Sequence, residues 1–165
     1  MELRIRRARE ADLPAILDIY NYEVATSTST WDEEPHTLAQ RRAWLRSMDR
    51  TEPVLVAEAD SQVGGFAYLH RMSDKAGWRF TREDTIYLHR DFRGRGVGRA
   101  LLSALLEEAQ ALGLHLVVAT ISDDNEASLA LHRSLGFEVA GRLEECGYKF
   151  GRWLSVVYMR KRLEG

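Results

Sequence analysis

Apolar positions along the 165-residue chain change period several times, and each change marks an element. Ile5 to Ala8 reads as a short strand. Leu13, Ile16, Leu17, Tyr20 and Val24 then recur at helical spacing, with Asp12 and Pro14 in the opening turn. A polar run from Thr26 to Thr30 ends at Trp31, and Thr37 with Gln40 forms a capping-box pattern that opens a second helix through Trp44, Leu45 and Met48. Val54 to Glu58 and Val63 to Leu69 are strand-like and flank the polar turn Asp60-Ser61-Gln62, which predicts an antiparallel pair. Arg71 to Gly77 reads as loop. Arg79 to Leu88 is a long strand candidate, followed by a helix from about Val97 to Leu112 that Gly113 closes.

Leu114 to Ile121 is a continuous run rich in β-branched residues, the pattern of an interior strand lying parallel to the one before the helix. The turn Ser122 to Asn125 leads into a short helix through Ala127, Leu131 and Leu135, ended by Gly136. Phe137 to Arg142 and Trp153 to Leu163 supply the last strands. The expected architecture is one domain over 1–165, of mixed α/β (α+β) class, with a twisted mixed sheet and helices on both faces.

Composition narrows the function classes. A hydrophobic fraction of 45%, 29% charged residues and a formal charge of -2 give no global attraction to nucleic acid or membrane, so any basic site must be local. Met1 is followed by charged residues rather than an apolar signal core, and no run of about 18 apolar residues occurs, so a cytoplasmic location is expected. Cys146 is the only cysteine, which excludes an internal disulfide and a cysteine-based zinc site, and it is expected to be a small buried apolar residue. The five histidines lack HExxH spacing, so no metal is expected.

The most informative segment is Arg93-Gly94-Arg95-Gly96-Val97-Gly98-Arg99, between a strand and an apolar helix. A helix start offers unpaired N–H groups and partial positive charge, and glycines let a phosphate approach that backbone. From Arg90 to Arg99 four arginines face Asp91 alone, which favours a polyanionic ligand. Two other phosphate motifs are excluded: a dinucleotide fingerprint beginning at Gly94 would need glycine where Arg99 stands, and no Gly-Lys pair exists for a P-loop. The cluster also lacks the interleaved aromatics of a nucleic-acid surface.

Arg93, Gly96 and Gly98 match the Q/R-x-x-G-x-G/A signature, so the chain resembles the GNAT acetyltransferases. Asn125-x-x-Ser128 with Leu131-His132-Arg133-Ser134-Leu135-Gly136-Phe137 resembles that family's second CoA-contacting motif. Ile19-Tyr20-Asn21, Trp31 before Glu34-Pro35, Thr81-x-Glu83, Leu131-His132 and Gly147-Tyr148-Lys149-Phe150-Gly151-x-Trp153 look like the branch of phosphinothricin and methionine sulfoximine N-acetyltransferases. The resemblance spans nearly the whole chain. It implies the GNAT fold: about seven mostly antiparallel strands with a splayed central parallel pair, and four helices. It also implies acetyl-CoA as donor, a small-molecule amine as acceptor, and a possible homodimer.

By that resemblance the cofactor-binding residues are Ile86, Tyr87 and Leu88, whose backbone would bond pantetheine as an added strand would, the loop Arg93, Gly94, Arg95, Gly96, Val97, Gly98 and Arg99, and Asn125 with Ser128. Glu83 matches the family's acid and is expected to be the general base. His132 stands where many relatives carry a tyrosine beside the leaving sulfur, as a second base or as the acid for the thiolate. The N–H of Leu88 is the candidate for polarising the thioester carbonyl. The acceptor pocket is expected to be lined by Trp31, by Arg71, Ser73 and Lys75 of the 71–75 loop, by Glu83, Asp84 and Thr85, and by Lys149; Trp31 and Trp153 read equally well as core. Relatives commonly carry Phe-Arg where this chain has Met72-Ser73, which removes an obvious partner for a substrate carboxylate, with Arg71, Lys75 or Arg79 as replacements. Other readings are a polyamine, an antibiotic amine or a protein N-terminus as acceptor, or an acyl-CoA sensor without catalysis.

Overall fold

Seven strands form one sheet in the order β1-β2-β3-β4-β5-β7-β6, in a computed structural model that describes residues 1–164. In chain order the elements are β1 (Leu3–Arg7), α1 (Leu13–Thr26), α2 (Leu38–Ser47), β2 (Val54–Ala59), β3 (Gln62–Arg71), β4 (Thr81–Leu88), α3 (Val97–Ala111), β5 (Leu116–Ser122), α4 (Glu126–Ser134), β6 (Glu138–Lys149) and β7 (Arg152–Arg162). Every neighbouring pair is antiparallel except β4 with β5. This is the mixed sheet with a central parallel pair and four α-helices that the sequence predicts.

Side-chain alternation along the strands decides which helix covers which face. Phe66 of β3 packs with Leu13, Ile16, Tyr20 and Val24 of α1, whereas its neighbours Ala67 and Leu69 pack with Val97, Leu101 and Leu105 of α3. The capping box of α2 is formed as expected: Gln40 N–H donates to Thr37 Oγ1 at 3.1 Å and Thr37 N–H to Gln40 Oε1 at 2.8 Å. Asp60 and Ser61 both have positive φ, 50° and 67°, the primed-turn geometry that suits a tight hairpin.

The parallel pair is short. β4 and β5 are joined only at Thr81–Leu116, Arg82–Val117 and Glu83–Val118, although β4 continues to Leu88 and β5 to Ser122, so the strands separate beyond Glu83. His89 N–H donates to Gly64 O at 2.9 Å. In the antiparallel register of β3 with β4, Leu88 and Ile86 therefore turn their N–H and C=O groups away from β3 and into the gap.

Four expectations are corrected. Arg71 belongs to β3, and residues 76–78 form a 3-10 turn inside the expected loop. β6 reaches Lys149 rather than ending at Arg142, because register shifts at Val139/Gly141 and Leu143/Gly147, with Glu145 at φ 52°, break the two-residue period that would reveal a strand. Cys146 is exposed, since β6 is the edge of the sheet, and Trp153 on β7 is exposed rather than core.

Candidate active site

The loop before α3 is shaped by backbone geometry. Gly94 and Gly96 have φ of 69° and 82°, where side chains are strained, and a Cβ at either would meet nothing within 4 Å, so both lie beside open space. Gly96 is the N-cap of α3 and brings no side-chain oxygen to the first-turn N–H groups of this 15-residue helix. A Cβ on Gly98 would stand 3.2 Å from Leu88 and 3.4 Å from Leu131, so the third glycine lets α3 approach β4 and α4.

The arginines divide their work. Arg93 pairs with the buried carboxylate of Glu23 and ties the loop to α1, while Arg99 Nη1 donates to Ser134 Oγ at 2.9 Å. Arg90 lies over the Tyr22 ring and Arg95 over Phe92. Arg93 and Gly94 meet Ile86, Tyr87, Leu88 and Ser128 around a cavity of about 260 Å³. Asn125 Oδ1 accepts the Ser128 N–H at 3.2 Å and so caps α4 at this cavity. Free N–H groups beside glycines that leave room for phosphate, next to a slot edged by the unpaired backbone of β4, fit a CoA-type ligand.

A second cavity, of about 440 Å³, fills the divergence of β4 and β5, with Trp31, Glu83, Asp84, Thr85, His132 and Cys146 in its wall. Successive β4 residues address opposite faces of the sheet. Glu83 shares the α1 face with His70, whose Nε2 is 3.5 Å from Glu83 Oε2. Asp84 shares the α4 face with His132, Oδ1 to Nε2 at 2.9 Å, both side chains at most 2% exposed. His132 Nδ1 lies 2.7 Å from the Ser128 carbonyl oxygen, which can only accept, so Nδ1 carries a hydrogen. The remaining proton is therefore shared between Nε2 and Asp84. Burial pushes the His132 pKa down, but the Asp84 charge and hydrogen bond, with the Ser128 carbonyl, raise it above its ordinary value. Asp84 Oδ2 is buried without a hydrogen-bond partner among the described residues.

The other expected acceptor residues separate into groups. Trp31 stands in the cavity wall, its ring filling the space that a Cβ on Gly147 would need. Lys149 is buried behind that wall and donates from Nζ to Ser27 O at 2.7 Å and Thr30 O at 2.8 Å, fixing the segment that presents Trp31; burial pushes its pKa down. Arg71, Ser73 and Lys75 line a different concavity of about 320 Å³, and Arg71 is held by Asp49 at 2.5 Å and Glu52 at 2.8 Å. The sequence did not signal Ser29, Tyr158 or Cys146 in the main cavity, because the α1–α2 connection, β6 and β7 reach it from distant positions. Among the described residues no cluster of three or more His, Cys, Asp or Glu could hold a metal, and no helix is long and apolar enough to cross a membrane.

Known proteins share both sequence and geometry. The acetyltransferase (GNAT) family profile matches residues 16–137. An L-methionine sulfoximine/L-methionine sulfone acetyltransferase of Pseudomonas aeruginosa is 45% identical over 99% of this chain and 96% of its own length. The crystal structure of a GNAT superfamily phosphinothricin acetyltransferase from Sinorhizobium meliloti, in complex with acetyl-CoA, aligns with a TM-score of 0.95 at 36% identity, covering 99% of this chain and 89% of that one. That of a ribosomal-protein-alanine N-acetyltransferase from Brucella melitensis aligns with a TM-score of 0.94 at 45% identity, covering 97% and 99%. With the glycine-arginine loop, the splayed β4–β5 pair and a profile match over most of its length, the chain belongs to the GNAT family of acetyltransferases.

Proposed function

We propose that the chain works as one catalytic domain that acetylates the primary amine of a small molecule, an amino acid or close analogue, with acetyl-CoA as donor. Acetyl-CoA, when bound, supplies the thioester whose acetyl group is transferred. The first-turn N–H groups of α3 and the glycines of the 93–99 loop hold its phosphates, and the unpaired backbone of Ile86 and Leu88 orients the arm that reaches into the gap. The Leu88 N–H is a fixed donor toward the carbonyl oxygen as charge grows there.

The observation that carries the reading is the placement of two acid-base groups on opposite faces of one strand, at the point where the strands part. An amine must be neutral to attack. For a lysine-like amine that costs about 4.6 kcal/mol at pH 7, against about 1.4 kcal/mol for an α-amine. Glu83, in the cavity wall beside His70, takes that proton, directly or through water. On the other face the Asp84–His132 pair, whose histidine pKa is raised, gives a proton to the departing sulfur and is recharged by the second proton that the acceptor nitrogen loses as the amide forms. The exposed apolar side chains Val139, Leu143, Tyr148, Phe150 and Trp153 on β6, β7 and their turn support a homodimer.

The test is a screen with acetyl-CoA, following thiol release, over L-methionine sulfone, phosphinothricin, a polyamine and a peptide with N-terminal alanine. Turnover on the first two is expected. Turnover confined to the peptide, the activity in the Brucella protein's name, would replace this acceptor with a protein N-terminus.

A further inference from the structure

Two arginines are almost fully buried, and they are bonded very differently. Arg82 is 4% exposed and its guanidinium donates to the Thr51 hydroxyl and to the carbonyls of Thr51, Arg79 and Thr81. Arg41, on α2, is 3% exposed, its Nε is buried without a partner, and among the described residues no carboxylate lies within ion-pair distance. Its guanidinium rests over the Tyr20 ring at 4.1 Å and the Trp44 ring at 4.8 Å. Ring faces return only part of the hydration that a buried cation gives up. Burial pushes the Arg41 pKa down, yet a guanidinium remains charged at neutral pH.

Arg41 forms one wall of a cavity of about 320 Å³ together with His36, Gln40, Tyr68 and Tyr87. Tyr87 is also a wall of the catalytic cavity, and the Tyr68 ring lies 5.5 Å from that of His70, tilted by 43°, with His70 in turn the neighbour of Glu83. The space therefore lies on the acceptor face of β4. The other charged group facing it, Asp32, is engaged by the Tyr20 hydroxyl and by His36 Nε2 at 3.1 Å. The cations expected near the acceptor are committed elsewhere: Arg71 to Asp49 and Glu52, Lys149 to two carbonyls, and Lys75 to a separate concavity.

We infer that this cavity is the subsite for the acceptor's carboxylate and that Arg41 reads it, in place of the loop arginine that Ser73 lacks. A planar fork of donors suits a two-oxygen anion, and aromatic walls suit the aliphatic body of an amino acid. The inference rests on the acceptor proposed above and would make the enzyme selective for α-amino acids over simple amines.

The experiment compares kcat/KM for L-methionine sulfone with that for its carboxamide, in the wild type and in Arg41→Gln. The wild type should favour the free acid by at least about tenfold, mostly through KM, the worth of one charge-assisted contact. In Arg41→Gln the preference should collapse to within about threefold. Should Arg41→Gln fail to fold, Arg41→Lys, which keeps the charge and loses the fork, should give an intermediate preference. Equal use of acid and carboxamide by the wild type, or a preference unchanged in either folded variant, overturns the subsite. Absence of turnover on every amine would instead overturn the proposed reaction, so the two failures are distinguishable.

Discussion

The two faces of β4 are built by different rules. On the α3–α4 face the proposed donor site is local in sequence: the strand, the glycine-arginine loop and the helix start follow one another from residue 81 to 99, and the first-turn N–H groups there have no side-chain cap. On the α1–α2 face the proposed acceptor site draws on Trp31, Arg41, His70, Glu83 and Lys149, which are dispersed along the chain. A contiguous backbone site leaves a motif; a site of dispersed side chains leaves almost none.

The comparison is broken most strongly at Asp84. Asp84→Asn keeps the shape, and its amide can donate to a neutral His132 Nε2, so the fold should survive while the imidazole loses the charge that holds its proton. The expected result is a fall in kcat of about ten- to a hundredfold with little change in KM, and an alkaline limb of the pH–rate profile moved to lower pH. The sign follows from the raised His132 pKa. Stability from the pair is fully present below the unfolded value of 6.5 and is lost as pH rises through the higher folded value, so wild type and variant should converge in stability at alkaline pH. An unmoved alkaline limb would remove the pair from the proton return.

A smaller effect should come from the donor loop. Gly96→Val forces a β-branched residue to φ 82° and puts its side chain into the space beside the α3 N-terminus. The KM for acetyl-CoA should rise at least about tenfold with the acceptor KM unchanged, as read by calorimetry and steady-state kinetics. The smallest effect tests the acceptor scaffold. Lys149→Met strips the Ser27 and Thr30 carbonyls of their donor, at a cost of about 1–3 kcal/mol in denaturant unfolding, and should raise the acceptor KM while sparing that for acetyl-CoA.

The contrast between faces also explains what could be read from the sequence. The order of elements, the parallel pair, the capping box of α2 and the hairpin at Asp60-Ser61 follow from local periodicity and turn chemistry, and the structure has them. The full length of β6 was hidden because its bulges erase alternation, and with it the exposure of Cys146 at the sheet edge. The sequence points Asp84 toward the substrate and gives no sign of its histidine, 48 residues away, since nothing local marks a buried pair. Arg41 carries no mark in the sequence; only packing shows that its charge is buried among rings. Arg93, expected to bind phosphate, is drawn to Glu23 across 70 residues.

The division of labour between the two faces is tested most directly by how kcat depends on acceptor basicity in wild type and in Glu83→Gln, measured with acetyl-CoA over amines whose pKa spans about 8 to 10. A base that removes the acceptor's proton becomes more important as that proton is held more tightly, so the loss in Glu83→Gln should reach about a hundredfold and grow with amine pKa. A Glu83→Gln enzyme with wild-type kcat, or with a loss independent of amine pKa, would contradict the account.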